Sequence, residues 1–552
     1  MPAAVDYRFY YLDNFQQVLD WIAQRYADLL SEEERDFIAT FPGLPLVSRA
    51  LFVRMMMRRG EFFRTSKLDY PEIGDPLAAA RALPAPWLGE DPVLTLEQLF
   101  ALATKPELVR CFALGAALKP ARKSELLEVL RQDPAHARAR PWSQWLADDT
   151  DVLLHLRQQA LCDRLRLMFF GNLRQDWSEF VLADLGMFRY ERIAFAPQAR
   201  GFRSRADIDH YLHLHACKQR YHAGDAPAAI LPDLLAEVPA GGYDNAWLAS
   251  RFDRLMFQLG QAFEKLQDWA QAQAVYAASR YPGARARTVR VLEKQGRFGA
   301  AHALLQAALR APENEAERQQ LLRVAPRLAR QLGHPPPARE AAPVVQRMDL
   351  VLPATGQRVE LVVQAHLQCA QAPVFYVENA LATALFGLLC WDAIFAALPG
   401  AFFHPFQRGP ADLYSADFHA RRQQEFARCL ARLDDGSHHQ AILATYDAKL
   451  GLQSSFVAWD WLHREMLVMA LECIPAAHLK LWCLRILEDV RENRSGFPDL
   501  IQFWPDERRY RMIEVKGPGD RLQDNQQRWL AYCARHDMPV SVCYLQWAPE
   551  AA

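Results

Sequence analysis

The sequence has no pair of cysteines in C-x-x-C spacing, although it contains ten cysteines in 552 residues. Scattered single cysteines do not form the regular framework that stabilises small secreted proteins. The first residues, MPAAVDYRFYYLDNF, also lack a basic segment followed by an apolar run, so we expect no secretory signal. Both absences predict reduced, mostly buried thiols in the reducing cytoplasm.

An excess of charge of either sign is also missing, because 64 lysines and arginines stand against 65 acidic residues and the formal net charge is -1. This balance excludes a uniformly basic protein that coats nucleic acid, but it allows local basic patches. Hydrophobic residues make up 51% and charged residues 23%, which excludes wholesale disorder and fibrous repeats. The chain is too long for a single core, so three or four domains are expected.

Basic flanks are absent around the one segment that is long and apolar enough to suggest a membrane span, residues 381–403. Asp392 lies in its middle, a Pro-Gly pair ends it early, and no lysine or arginine occurs from residue 359 to residue 407. A charge at mid-span without basic flanks favours a helix buried inside the protein. We therefore expect no membrane contact.

The first part of the chain is predicted to be helical, and basic side chains concentrate in one stretch of it. Residues 49–67 carry six bases and one acid, Glu61, a local charge of +5. A basic surface of this kind suits DNA phosphates, and the alternative is a solvated helix face. The candidate phosphate contacts in this stretch are Arg54, Arg58, Arg59 and Arg64.

A second small DNA-binding module is predicted to follow, with bases at the start of a helix. Lys119, Arg122 and Lys123 are these bases. Free backbone N–H groups at a helix N-terminus and side-chain charge both favour a phosphate there. The predicted regions are a winged-helix-like DNA-binding region at 1–90, this module at 91–150, a helical region at 151–335 and an α/β domain at 346–552.

Two blocks of similar sequence lie 29 residues apart in the helical region, at residues 264–269 and 293–298. Each precedes an alanine-rich helix, which is typical of tetratricopeptide-like hairpins, and a non-repeating helical bundle is the alternative. A proline-rich stretch at residues 333–345 then marks a domain boundary. Beyond it the patterns predict strands at 359–363, 500–504, 510–515 and 540–545 and a helix at 523–536.

The residues that suggest chemistry lie on a predicted hairpin near the C-terminus, where Pro498-Asp499 precedes Glu514-Val515-Lys516. Glu514 and Lys516 point to one face, because side chains alternate along a strand. Asp499, at the start of the neighbouring strand, lies within reach of Glu514, and two close carboxylates repel unless a divalent cation lies between them. The lysine would hold or polarise the attacking water or stabilise a charged transition state. An edge hairpin with a surface salt bridge is the alternative.

This motif resembles the virus-type replication-repair nuclease (VRR-NUC) domain of the PD-(D/E)xK nuclease superfamily. The residues that carry the resemblance are Gly496–Leu500, Ile513–Leu522, Gln526 and Trp529. Two further runs, Glu378–Asp392 and Leu51–Arg64, resemble more narrowly the Fanconi-associated nuclease family, so the likeness covers essentially the whole chain. By this resemblance the 91–150 module is similar to the family's SAP module, and the middle is similar to its helical-repeat domain.

The resemblance implies a multidomain, mostly α-helical protein with a C-terminal α/β nuclease domain built on a mixed central sheet flanked by helices. It implies that Asp499, Glu514 and Lys516 are catalytic, with Glu378 as a further carboxylate. The metal, Mg²⁺ or Mn²⁺, is expected to bind Glu378, Asp499, Glu514 and the carbonyl of Val515. Arg491 and Arg494 are expected to hold the substrate phosphate, and Gln526 is expected to orient a bound group or phosphate.

The residues themselves also point to Glu378. It is the only acid from residue 365 to residue 391 and stands where the apolar helix is predicted to begin. A lone buried acid is costly unless it has a partner, and a metal ion is one. An ordinary solvent-exposed acid at a helix start is the alternative.

For function, the family implies a structure-specific, metal-dependent DNA nuclease, a 5′-flap endonuclease and 5′→3′ exonuclease in interstrand-crosslink repair. The expected partner is branched DNA, with a 5′ flap, nick or crosslink, bound by a monomer. We expect no N-terminal extension and no ubiquitin-binding zinc finger of the kind found in eukaryotic members, and therefore a bacterial-type ortholog, cytoplasmic and nucleoid-associated when bound to DNA. A Holliday-junction resolvase-like endonuclease and a catalytically idle DNA-binding or scaffold protein stay open as alternatives.

A separate metal site is conceivable on residues 209–217, where His210, His213 and Cys217 would share one helical face. Three ligands on a single helix with no distant fourth are more typical of ordinary polar helix residues. The zinc hypothesis for this cluster therefore stays secondary to the hairpin.

Overall fold

The computed structural model describes residues 8–549 except 116–117, 148–150, 176, 178–187, 196–198 and 339–342. The chain divides into two compact units, residues 1–188 and 189–552. Two predictions fall partly outside the described residues: the N-terminal segment without a signal (residues 1–7) and the middle of the proline-rich boundary (residues 339–342).

The first unit is mostly helical and contains two small antiparallel sheets. The larger has the order β1 (Phe62–Arg64), β5 (Leu153–Leu156) and β2 (Leu88–Glu90), and the smaller pairs β3 (Val93–Leu94) with β4 (Arg140–Pro141). Its α-helices are Tyr10–Arg25, Glu32–Thr40, Leu46–Met56, Pro76–Arg81, Leu96–Leu102, Lys105–Cys111, Lys123–Arg131, Trp142–Trp145 and Gln159–Phe170.

The second unit begins with helices that pack consecutively. They are Arg205–Ala223, Pro227–Ala236, Ala246–Lys265, Trp269–Ala277, Ala284–Lys294, Phe298–Arg310 and Glu315–Gln331. The two similar sequence blocks form equivalent corners between helices, where Gln267 has a φ of 61° and Gly296 a φ of 73°. A left-handed residue ends the first helix at each corner and lets the next helix turn back.

A five-stranded mixed sheet lies at the centre of the C-terminal part. Its strand order is β6 (Gln346–Leu352), β10 (Val540–Trp547), β9 (Arg509–Lys516), β8 (Leu500–Trp504) and β7 (Val374–Tyr376). Strand β10 runs parallel to β6 and β9, whereas β8 is antiparallel to β7 and β9. The strands predicted at 500–504, 510–515 and 540–545 are confirmed, as is the mixed sheet.

The strand predicted at residues 359–363 is wrong, because these residues belong to the helix Val359–Leu367. Val362 and Val363 are buried against the sheet residues Ile513 and Val515. Positions 359, 362 and 363 share one helical face, so a valine-rich run that suggests a strand also satisfies a helical pattern. The strand that opens this part of the chain is β6, earlier in the sequence.

Helices cover the other face of the sheet. They are Ala380–Leu389, Trp391–Ile394, Gln423–Asp434, His438–Lys449, Arg464–Cys473, Ala476–Glu488, Val490–Asn493 and Asp524–Arg535. The apolar segment is confirmed as protein interior, since every residue from Leu381 to Leu389 is buried in a core with Ile501 and Phe503 of β8.

The helices of the described residues are too short or too polar to span a membrane singly. The neighbouring helices Arg464–Cys473 and Ala476–Glu488 reach the required length and composition only together, and they are bent by 109° relative to each other.

Candidate active site

Two acidic side chains meet at one end of the β8–β9 hairpin. The antiparallel register pairs Leu500 with Ile513, so Asp499, one residue before β8, lies opposite Glu514. Glu514 and Lys516 project from the same face of β9, as their spacing predicts. The structure therefore brings together the three residues that the hairpin motif singles out.

A tight turn delivers Asp499 to this position. Gly496 has a φ of 91°, and a Cβ there would lie 2.7 Å from the backbone carbonyl carbon of Asn525. A positive φ and so close an approach both require glycine. The glycine of the Gly-Phe-Pro-Asp run is thus explained by packing against the helix Asp524–Arg535.

Both carboxylates are buried, since Glu514 is 0% exposed and Asp499 is 8% exposed. Oδ2 of Asp499 accepts a hydrogen bond of 2.8 Å from the backbone N–H of Val515. Nζ of Lys516 lies 2.8 Å from Oε1 of Glu514, but no described residue donates a well-directed hydrogen bond to either Glu514 oxygen. Buried carboxylate oxygens without donors fit a cation, which prefers such hard oxygen ligands.

Burial also raises the pKa of both acids. The pKa of Asp499 rises to about 6 because the group is buried, although the N–H of Val515 and the charge of Lys516 act against this rise. The pKa of Glu514 rises to about 8, through burial and then through the charge of Asp499, with Lys516 again opposing. A divalent cation would offset the cost of holding both groups ionised.

The expected burial of Glu378 is wrong. Its side chain is exposed, and it precedes the helix Ala380–Leu389 instead of lying within it. Its backbone N–H donates to the carbonyl of Asp499 at 2.9 Å, and its Oε2 accepts from the hydroxyl of Tyr376 at 2.6 Å. Glu378 therefore borders the site, and its charge contributes to the raised pKa of both buried acids.

Two neighbours of the site, Tyr376 and Glu360, were not predicted from the sequence patterns. Tyr376 orients Glu378 through its hydroxyl, and the charge of Glu360 adds to the raised pKa of Asp499. Glu360 lies on the helix Val359–Leu367, which the sequence patterns predict as a strand, so its position near Asp499 could not be anticipated.

The metal hypotheses differ in their geometric support. Among the described residues, no three His, Cys, Asp or Glu side chains form one group arranged to hold a metal ion. Sγ of Cys217 lies 3.7 Å from Nε2 of His213, while His210 packs edge-on against Tyr243. The zinc hypothesis for that helix therefore gains no support, and Glu378 does not close a three-carboxylate group with Asp499 and Glu514 in this arrangement.

The basic stretch near the N-terminus divides into paired and exposed arginines. Arg54 lies 2.6 Å from Glu72 and stacks over Tyr11, with 3.9 Å from its guanidinium carbon to the ring centre. Arg64 is held between two acids, at 2.8 Å from Glu107 and 2.7 Å from Asp151. Arg58 and Arg59 are exposed.

The predicted phosphate contacts of the second module, at residues 119–123, differ in their exposure to solvent. Lys119 and Arg122 are exposed and Lys123 is half-buried, while a Glu125 oxygen accepts the backbone N–H of Arg122 at 2.6 Å. This carboxylate already occupies the helix N-terminus that was predicted to favour a phosphate.

Near the hairpin, Arg494 donates to the carbonyl of Ser455 at 2.9 Å, and Arg491 donates to the carbonyl of Tyr414 at 3.3 Å. Oε1 of Gln526 accepts the backbone N–H of Gln523 at 2.8 Å, so this side chain caps its own helix. These three residues keep their predicted roles as hypotheses.

We expect the double variant Arg58→Gln, Arg59→Gln to weaken DNA binding and to flatten its salt dependence. Each lost phosphate contact on duplex DNA reduces the slope of log K against log salt by about 0.9. Arg54 is left unchanged because its loss would break the pair with Glu72. Arg81→Gln, at an exposed ion pair with Glu90, is the control. Fluorescence anisotropy over a salt series measures the slope, and an unchanged slope would mean a merely solvated face.

We expect Glu514→Gln to raise the melting temperature of the metal-free protein at alkaline pH. The pKa of Glu514 is about 8 when folded and 4.5 when unfolded, so its contribution to stability is complete below pH 4.5 and is lost progressively as pH rises to 8. Glutamine resembles the protonated acid at every pH. In EDTA at pH 9 the variant should melt ~2 °C or more above the wild type, since 1 kcal/mol shifts a large domain by about 2–4 °C.

The same experiment at pH 4 is the internal control for this prediction, because Glu514 is then mostly protonated in both the folded and the unfolded wild type, and the two proteins should melt nearly alike. A metal-free variant that melts at or below the wild-type temperature at pH 9 would contradict the raised pKa.

A buried carboxylate pair and a lysine at the end of a hairpin in a mixed sheet define a nuclease of the PD-(D/E)xK class. In agreement, residues 433–547 match the VRR-NUC domain, residues 9–88 match the "FAN1, HTH domain" and residues 93–145 match the "Fanconi anemia-associated nuclease SAP domain". The chain is 54% identical over 542 residues to the Fanconi-associated nuclease 1 homolog of Pseudomonas aeruginosa, which covers 98% of this chain and 96% of that protein.

Solved structures agree over the same length. The crystal structure of paFAN1 bound to 2nt 5′ flap DNA with gap matches with a TM-score of 0.94 and 53% identity, covering 100% of both chains. That of paFAN1 bound to 1nt 5′ flap DNA with gap matches with a TM-score of 0.91 and 53% identity, covering 99% of this chain and 100% of the other. The chain belongs to the Fanconi-associated nuclease family. It is a DNA-hydrolysing nuclease of the VRR-NUC type, which uses a divalent metal, and the predicted resemblance is confirmed.

Proposed function

We propose that this protein cuts DNA near 5′ flaps, trims it in the 5′→3′ direction and acts in interstrand-crosslink repair. The observation that carries the proposal is the buried pair of Asp499 and Glu514 beside Lys516, in a chain similar over its whole length to a protein crystallised on 5′ flap DNA. An intact set of these residues argues against a catalytically idle scaffold. We also propose that the protein acts in the cytoplasm of a bacterial cell, at the nucleoid, because a DNA-repair nuclease meets its substrate there.

We propose that Asp499, Glu514 and the carbonyl of Val515 hold the cation, with Glu378 as a further carboxylate from the edge of the site. Two observations support this set: no well-directed hydrogen bond reaches Glu514 from the described residues, and the pKa of both buried acids is raised. All of these ligands are hard oxygens, which favour Mg²⁺ or Mn²⁺ over zinc. Such a cation supplies positive charge that stabilises the transition state at the phosphate.

The chain's own residues would then act in three ways. The N–H of Val515 orients the carboxylate of Asp499 through a 2.8 Å hydrogen bond. Lys516, held 2.8 Å from Glu514, positions the attacking water or stabilises the charge that develops on the phosphate. Arg491 and Arg494, just before the turn that carries Asp499, would bind the neighbouring phosphates of the strand.

A monomer on one junction is favoured over a resolvase-like dimer. The helix Asp524–Arg535 of the nuclease part is covered by the chain's own repeat helix Glu315–Gln331. The two helices are joined by an ion pair of 2.6 Å between Arg323 and Asp524 and a hydrogen bond of 2.9 Å from Arg528 to Gln319. This face of the nuclease is thus occupied within one chain, and we propose that the protein acts on branched DNA as a monomer.

Mapping of cleavage products tests the proposal. The purified full chain is incubated with 5′-flap, 3′-flap, nicked and four-way-junction DNA, with Mg²⁺, with Mn²⁺ and with EDTA. We expect cleavage of the 5′-flap substrate close to the junction, loss of cleavage in EDTA and shortening from a 5′ end. Preferred symmetric cutting of the four-way junction would favour the resolvase alternative, and no cutting of any substrate would favour the scaffold alternative.

A further inference from the structure

A cavity of about 460 Å³ opens beside Glu378, at the edge of the catalytic carboxylates. A volume in this range is typical of sites that enclose a small ligand. Much of its wall is apolar or aromatic, with Tyr376, Phe456 and Trp461 among the lining residues. Glu378 and Arg494, which have roles proposed above, line this cavity, whereas Trp461 has none.

The aromatic wall includes a tryptophan that is largely in solvent. Trp461 is 61% exposed, and its ring centre lies 6.4 Å from that of Tyr376 at an angle of 69° between the ring planes. The same Tyr376 donates its hydroxyl hydrogen bond to Glu378. An exposed flat ring in a cleft is the surface on which nucleobases stack, because every base has a π-face.

Two arginines add positive charge to the same cavity. Arg494 is fixed by its hydrogen bond of 2.9 Å to the carbonyl of Ser455, and its guanidinium lies over the ring of Phe456. Arg358 is exposed immediately before the helix Val359–Leu367, and its charge acts on Tyr376. A nucleotide joins an aromatic ring to a phosphate, so its chemistry matches that of the cavity wall.

We propose that this cavity accepts the base of one unpaired nucleotide of the strand being cut, stacked on Trp461 with its phosphate beside Arg358. The inference rests on the proposed nuclease function and names a nucleotide-binding subsite for it. Glu378 lines the cavity, and its backbone N–H donates to the carbonyl of Asp499 at 2.9 Å, so the cavity opens next to the catalytic acids.

Such a subsite would position the scissile bond. A base held in the cavity fixes the sugar and phosphate next to it, and this restricts where the neighbouring phosphodiester lies relative to the acids. Trp461 and Arg358 are therefore positioning residues and take no part in the bond cleavage itself. Removing either one should leave the chemistry intact once a substrate is placed correctly.

A double-mutant cycle between protein and DNA tests this subsite. A single abasic residue is moved along the nucleotides that flank the mapped cut site of the 5′-flap substrate. Its effect on kcat/KM is measured for the wild type and for Trp461→Ala. We expect one position where loss of the base lowers kcat/KM of the wild type by about 10-fold or more, as stacking contributes about that much. At that position the same change should have little effect on Trp461→Ala.

Two further variants separate stacking from folding. Trp461→Phe keeps an aromatic face and should retain the sensitivity to base loss at the same position. Trp504→Ala removes a half-buried tryptophan of β8 that stacks with Arg509 outside the cavity, and it should behave as the wild type. Arg358→Gln should raise KM with little change in kcat.

The proposal would be overturned if the loss of a base in the DNA and Trp461→Ala lowered kcat/KM independently of each other. If base loss and Trp461→Ala multiply at every position, no base occupies the cavity, although the nuclease function stands as long as the wild type cuts the flap. If the wild type cuts no branched substrate, the proposed function fails and this inference fails with it.

Discussion

Asp499→Ala and Glu514→Ala are each expected to abolish DNA cleavage, with a loss of about a thousandfold or more, and to leave DNA affinity close to that of the wild type. Both carboxylates are buried and face each other at the end of the hairpin, so each replacement removes a charge from the inside of the site. Affinity should survive, because most of it comes from cationic side chains on phosphates elsewhere. Single-turnover cleavage of a 5′-flap substrate and a binding titration in Ca²⁺ measure the two effects separately.

Isosteric variants make this test sharper. Asp499→Asn keeps an oxygen that accepts the N–H of Val515 and removes only the negative charge, so it separates cation binding from the structural hydrogen bond. Glu507→Ala removes an exposed acid that pairs with Arg509 in the turn of the same hairpin, and it should cut at the wild-type rate. If Asp499→Asn also cuts at the wild-type rate, the assignment of the site is wrong.

Lys516→Ala is expected to lower the single-turnover rate by about a hundredfold or more while changing metal and DNA affinity little. The Nζ of Lys516 is 2.8 Å from Glu514, and the residue is only 8% exposed, so its charge acts inside the site and is weakly screened. A group that positions water or stabilises developing charge contributes mainly in the transition state. A loss confined to DNA binding would instead make Lys516 a phosphate anchor.

Lys516→Arg distinguishes position from charge. A planar guanidinium keeps the charge but does not reproduce a compact ammonium next to the attacking water, so this variant should be nearly as inactive as Lys516→Ala. Lys480→Ala, which breaks an exposed pair with Asp434 elsewhere in the nuclease part, is the control and should keep full activity. An arginine variant with close to full single-turnover activity would mean that charge alone suffices.

The carboxylate pair could be predicted from the sequence because its geometry is local. Alternation along β9 puts Glu514 and Lys516 on one face whatever the rest of the fold does, and one hairpin brings Asp499 opposite Glu514. The burial of the apolar helix was also predictable from local sequence. A long run of apolar residues is unfavourable in water, and without basic flanks it is more typical of a protein core than of a membrane span.

The surroundings of that pair depend on contacts between segments far apart in the chain. A valine-rich run is compatible with a helix and a strand, so only its packing on the sheet made residues 359–367 helical. Likewise, the pairing of β7 with β8 held Glu378 beside Asp499, in solvent and outside the helix. The sequence does not reveal the acidic partners of Arg54 and Arg64, because Glu72, Glu107 and Asp151 come close to them only after folding.

The sequence by itself thus determined the class of chemistry, through residue types whose spacing within one hairpin forces them together. Tertiary structure alone decided which charges stay available and where a cavity opens beside the acids, with Trp461 brought next to Tyr376 from 85 positions away in the chain. The physical reason is that strand alternation is a property of the local backbone, whereas burial, ion pairing and cavity shape are set by close packing between distant segments.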